Sequence, residues 1–172
     1  DGRSTLNIAS QLNSSYIDAF DYSSEMILLA NKRKNKNIKK YKSVNFFIEN
    51  ILNMEKIKTK YDIIISKRCL INLTTYKKQL QAIYSINKLL KKNGSFLMCE
   101  NSTDGLKKIN HLRNKLKLNQ IIVPWHNLYF NENKLEKDIK NLELINKLHF
   151  NSTYYFLSRI VNAYISKLEH KD

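Results

Sequence analysis

Glycine is scarce in this chain, with three among 172 residues (Gly2, Gly94 and Gly105), and proline occurs once, at Pro124. That scarcity excludes collagen-like and low-complexity architectures and leaves no composition suited to a flexible linker. The two cysteines, Cys69 and Cys99, have neither CxxC nor metal-ligand spacing, so a disulfide scaffold and a zinc site are set aside. A reducing, cytoplasmic compartment is expected. No apolar run reaches transmembrane length. Arginine is sparse as well, five against 25 lysines, although the formal net charge is +15. Such a charge invites phosphate backbones as partners, but arginine is the usual reader of bases and phosphates. A joint excess of Lys, Asn (22 residues) and Ile is also what an AT-rich coding sequence produces without selection for binding. The run "KRKNKNIKK" at 32–40 therefore reads as a solvated helix end and loop, and nucleic acid is not the favoured partner.

What is present is an ordinary globular composition, 42% hydrophobic and 26% charged, in a length that suits one domain over 1–172. The segments alternate between helical and extended patterns. Residues 5–12 carry a helix face, with Ser4 as its cap. "YIDAFD" (16–21) is a short strand ending on an acid. "SSEMILLANKRK" then begins a helix capped by Ser23 or Ser24, with Glu25 in its first turn. "VNFFI" (44–48) is a second strand. "YDIIIS" (61–66) is a β-branched run of the kind covered on both faces. Residues 76–90 place Leu80, Ile83, Ile86, Leu89 and Leu90 at helical spacing, and "KKNGSFLMCE" turns at Asn93-Gly94 into a strand ending on Glu100. Residues 106–118 are helical, "IIVPWHNLYF" is an apolar loop, and "NLELINKLHF" and "STYYFLSRIVNAYI" read as two closing strands. Strands separated by helices imply a parallel sheet with helices on both faces.

The order of these pieces resembles the class I S-adenosylmethionine-dependent methyltransferases, in particular the broad small-molecule group, from residue 1 to about residue 160. "DGRSTLNIAS" looks like the end of that family's glycine-rich loop and the helix after it, with Gly2 as the final glycine. The resemblance implies an α/β, Rossmann-like doubly wound, mostly parallel sheet closed by a C-terminal antiparallel hairpin. It also implies that the first central strand lies outside this chain, which would then be incomplete at its N-terminus.

"IDAFDYSSEMI" places Asp21, followed by Tyr22, where the family's acid accepts from the ribose hydroxyls. A carboxylate at a strand's C-terminal end suits a diol; a helix-capping Asp is the alternative. In "FFIENILNM", Asn50 and Ile51 fall where an acceptor and an apolar neighbour meet adenine, or Asn50 is a plain loop residue. In "KYDIIISKRCLINL", Ser66 and Lys67 fall near the sulfonium end. Lys92-Asn93-Gly94 replaces the family's Pro-Gly-Gly turn, because Asn tolerates positive φ.

The implied chemistry is in-line displacement at the methyl of S-adenosylmethionine, with S-adenosylhomocysteine as product, no metal and an optional general base. Arg68, Arg113 and Arg159 sit in candidate pocket segments; convergence of two would imply an acceptor bearing phosphate or carboxylate, and otherwise they are surface residues. Trp125 and Tyr129 are candidate pocket walls. His126 is a candidate base near neutral pH, or a satisfied loop histidine. Glu100 is a candidate for orienting or deprotonating the acceptor, or for capping the segment that follows. Cys69 reads as packing. Three other readings stand beside this one: an RNA or DNA methyltransferase, an NAD-dependent oxidoreductase of related fold, and a non-catalytic binding module.

Overall fold

The computed structural model describes residues 1–12, 15–150 and 152–169. Its contacts divide the chain into two compact units, Asp1–Lys58 and Thr59–Asp172. Each unit holds a two-stranded parallel sheet joined by a helical crossover. The α/β class and the parallel pairing are those expected. Among the described residues, no helix is long and apolar enough to cross a membrane.

In the first unit, α1 (Arg3–Ala9) is followed by β1 (Ile17–Asp21), α2 (Ser24–Asn35) and β2 (Val44–Ile48). The strands pair in register from Ile17 opposite Val44 to Asp21 opposite Ile48. Ser23 caps α2, its Oγ accepting from the Met26 amide at 3.2 Å, the role its place before an acidic first turn predicts. At α1 the cap is Gly2, at φ 74°, and Ser4 lies inside the helix. The cap expected at Ser4 is thus displaced to a residue without a side chain, because the chain enters the helix through a left-handed turn that glycine adopts at little cost. A Cβ on Gly2 would stand 2.8 Å from the Cβ of Ala30 and 3.0 Å from the ring of Phe46. Gly2 therefore lets α1 settle onto a core of Leu6, Ile27, Ala30, Val44 and Phe46, flanked by Ala9, Ile17, Ala19 and Tyr41. Each large side chain buried there contributes roughly 1.5–3 kcal/mol.

The second unit opens with β3 (Tyr61–Lys67), then a 3-10 turn (Leu70–Asn72), α3 (Tyr76–Leu89) and β4 (Leu90–Cys99). Asn93 and Gly94, expected as a turn ahead of the strand, lie inside β4, where Asn93 takes φ 63°. Gly94 lies where a Cβ would come within 3.0–3.1 Å of the Lys91, Asp62 and Tyr61 carbonyls. The irregularity of register between Tyr61 and Ile63 sits at this crowded point. β3 is less covered than its composition suggests: Ile63 and Ile65 are 58% and 46% exposed, as is Leu97 beside Ile65, at 45%. The opposite face, with Ser66 buried, is the covered one.

Beyond β4 come α4 (Thr103–Lys115), capped by Ser102, and α5 (Glu132–Asp138), an element the sequence reading did not separate from its surroundings. Among the described residues the C-terminal antiparallel hairpin is not formed. Residues 141–150 hold no strand, and the next segment is helical: α6 (Ser152–Phe156), a π-helical turn (Leu157–Val161) and α7 (Asn162–Glu169). Phe156, Ile160, Tyr164 and Leu168 recur every fourth residue, a helical period. A helix also satisfies its own backbone, whereas a closing strand needs a partner edge. Lys167 ties α7 back, donating to the Lys117 carbonyl at 2.6 Å.

Candidate active site

In parallel sheets, ligands are met at the carboxyl ends of the strands. In the first unit that end carries Asp21, the last residue of β1, level with Ile48. Its Oδ1 accepts from the Ser23 amide at 3.0 Å, so the acid braces the residue that caps α2. Oδ2 meets no donor among the described residues and is open to a ligand. Tyr22, beside it, is 77% exposed. Two residues past β2, Asn50 turns the chain: its Oδ1 accepts from the Leu52 amide at 3.0 Å and its own amide donates to Glu49 Oε1 at 2.8 Å. Ile51 beside it is half-buried. Asp21, Asn50 and Ile51 thus gather at one edge of the first unit, and Gly2 sits at the foot of α1.

In the second unit the corresponding edge is organised by Glu100, directly after β4. Its Oε1 accepts from the Ser66 hydroxyl and from the Cys69 and Leu70 amides, each at 3.1 Å, and Oε2 accepts from the Ile71 amide at 3.3 Å. The carboxylate therefore anchors the opening of the 3-10 turn. Ser66 is buried with its hydroxyl spent on this contact. Arg68 makes the sharp exit from β3 at φ 51°, its amide donating to the Cys99 carbonyl at 3.0 Å. A non-glycine residue in that region stores strain, a feature concentrated at functional turns.

The 121–130 loop is tied to the same turn. The Leu128 amide donates to the Ile71 carbonyl at 2.7 Å, and Asn127 Nδ2 donates to Asn72 Oδ1, also at 2.7 Å. Gln79 of α3, fully buried, donates from Nε2 to the Leu70 and Leu128 carbonyls at 3.2 and 2.8 Å. Its Oε1 is buried without a partner. The sequence reading passed over this residue. Its signal was a lone amide in line with Ala82, Ile83 and Ile86 on the buried stripe of α3.

The loop carries Trp125, 91% exposed, with its ring edge-on to His126 at 5.4 Å between centroids, and the half-buried Tyr129. Arg113 lies against Arg159 through a backbone contact. Arg113 spends its guanidinium on carbonyls, from Nε to Asn119 at 2.6 Å and from Nη1 to Arg159, while Arg68 is exposed at the turn after β3. The Arg159 contribution is thus a backbone oxygen, accepting in the π-helical turn.

Parallel strand pairs, crossover helices and an acid at the end of β1 are the parts of a Rossmann-like α/β fold. The chain belongs to the methyltransferase-domain family, whose model matches residues 1–152. No curated protein matches. Solved structures that it resembles include the CcbJ methyltransferase from Streptomyces caelestis, at 17% identity and TM-score 0.52, covering 58% of this chain and 39% of that one. An S-adenosylmethionine-dependent methyltransferase from Clostridium acetobutylicum matches at 19% identity and TM-score 0.51, covering 62% and 41%. PKMT2 from Rickettsia typhi, solved with S-adenosylhomocysteine, matches at 24% identity and TM-score 0.53, covering 65% and 21%. The chain therefore spans about two fifths or less of the length of these structures.

Proposed function

We propose that the protein transfers a methyl group from S-adenosylmethionine to a small-molecule acceptor. The observation that carries this is Asp21: a carboxylate at the carboxyl end of a parallel strand, exposed, with one oxygen bracing the next helix and the other open to a diol. The donor set fits the cofactor. Asp21 would hold the ribose hydroxyls, with Tyr22 alongside. Asn50 Oδ1 and Ile51 would meet adenine, and Gly2 would contribute backbone only. The bound cofactor supplies an already activated methyl, so the chain's own work is to bind, orient and exclude water.

On the acceptor side, His126 takes the proton of the attacking group at its imidazole, a role worth on the order of 10²–10⁴ in rate. Trp125 and Tyr129 flank the acceptor, and Arg68 borders it. Glu100 orients by holding the Ser66–Ile71 backbone rather than by carrying a proton. With Arg113 engaged on carbonyls, an anionic acceptor would be met by Arg68 or Arg159.

Calorimetric titration of S-adenosylhomocysteine into the protein, beside Asp21→Ala, tests this reading. Micromolar binding weakened by about 1–3 kcal/mol in the variant is expected. Absence of binding by a folded parent removes the methyltransferase reading, and a parallel NAD titration then tests the oxidoreductase. One observation favours a nucleic-acid acceptor instead: residues 32–42 hold seven cations and no acid. RNA binding that falls steeply with salt would move the proposal there.

A further inference from the structure

Glu100, the 3-10 turn and the 121–130 loop are joined by one continuous set of hydrogen bonds, and Gln79 is, among the described residues, the buried side chain in it that hydrogen-bonds both the turn and the loop. We infer that Gln79 is a positioning residue that locks the loop bearing Trp125, His126 and Tyr129 onto the Leu70–Asn72 turn. This inference rests on the reading that the loop serves the acceptor.

The argument is one of satisfied groups. The Leu70 and Leu128 carbonyls come from segments far apart in sequence, and a single amide nitrogen has two hydrogens with which to serve both. Gln79 reaches them from a helix whose neighbouring positions Ala82, Ile83 and Ile86 are packed, so its side chain is held where it stands. An apolar residue of the same volume at 79 would fill the space yet leave the Leu128 carbonyl unpaired and the Leu70 carbonyl with the Leu73 amide alone, and burial of an unpaired carbonyl is unfavourable. Between the loop's ends, which are tied at Ile121 to Asn110 and at Phe130 to Asn101, two outer contacts, from the Leu128 amide to Ile71 and from Asn127 to Asn72, would then be left to join it to the turn. The cost of a buried Oε1 with no partner is accepted at this site. A residue retained only for packing would carry no such cost. The geometry assigns Gln79 to the loop in the second unit; none of its bonds reaches Asp21 or Asn50.

Gln79→Met keeps the volume and removes both donors, and Asn127→Ala cuts the surface contact without touching the core. Site-resolved amide exchange reads the loop directly at Leu128, and S-adenosylhomocysteine titration reads the cofactor. In both variants exchange at Leu128 should quicken about tenfold or more, while the amides of the β3–β4 ladder keep parental protection and cofactor affinity stays within about twofold. Parental exchange at Leu128 in a folded Gln79→Met would overturn the inference. So would equal acceleration throughout the ladder, which marks a residue of general stability. Failure of the parent to bind S-adenosylhomocysteine would instead remove the methyltransferase reading, leaving the exchange result to decide the clamp.

Discussion

Replacing Glu100 separates two roles that the sequence left open, and the structure fixes the size of the effect. Three donors converge on Oε1 and one on Oε2. In Glu100→Gln, the amide oxygen can stand in for Oε1 and serve its three donors, but the NH2 then meets the Ile71 amide, donor against donor. Loss of one charge-assisted bond costs about 1.5–3 kcal/mol. Glu100→Ala leaves all four donors without an acceptor. The side chain is half-buried, so water recovers part of the loss, and a net cost of roughly 3–5 kcal/mol follows from about 1–3 kcal/mol for each donor that stays dry. Against a typical stability of about 5–15 kcal/mol, the alanine variant should be markedly weakened. Urea denaturation followed by far-UV circular dichroism measures both. A Gln variant within about 0.5 kcal/mol of the parent that had nonetheless lost methyl transfer would refute the anchoring role and return Glu100 to proton transfer.

Two further outcomes are expected. Gly2→Ala must hold a side chain at φ 74° against Ala30 and Phe46, so its melting free energy should fall by about 2 kcal/mol or more; a parental melting curve would contradict the packing described. Burial, and then the Asp138 carboxylate that accepts its hydroxyl at 2.9 Å, push the Tyr76 phenol up to about 12. The folded state thus holds that proton more tightly than the unfolded chain, where tyrosine titrates near about 10. The contribution is complete below about pH 10 and is lost as pH rises towards about 12. Urea midpoints should therefore decline more steeply with alkali in the parent than in Tyr76→Phe, and parallel slopes would show that Tyr76 is not responsible.

Local chemistry made much of this legible in advance. β2 coincides with the "VNFFI" run, α3 follows its apolar stripe, and Asn93 takes a positive φ, though within β4 rather than in a turn before it. Ser23 caps α2 because capping is decided within a few residues. The failures are cases where a distant partner decides. The 152–169 segment carries aromatic and β-branched residues that suit a strand, but its apolar residues also recur every fourth position and that helical period prevails. The β-branched run of β3 was read as covered on both faces, yet coverage depends on what packs against it, and Ile63 and Ile65 are exposed. Glu100 was visible as an acid at a strand end; that the Ser66–Ile71 chain folds back to occupy both its oxygens was not. Gln79 was missed because a polar residue on a helix reads as solvent-facing until its neighbours are seen to be buried.

The lone tryptophan has an experimental consequence. Trp125 is already 91% solvated in the folded protein, so its indole meets nearly the same surroundings before and after denaturation. Intrinsic emission will scarcely follow unfolding, and a melt monitored that way would show almost no transition in a protein that had lost its fold. The same openness makes the residue a label-free reporter of occupancy: a molecule that settles on the loop moves the indole from water into an apolar contact, and the emission shifts to the blue.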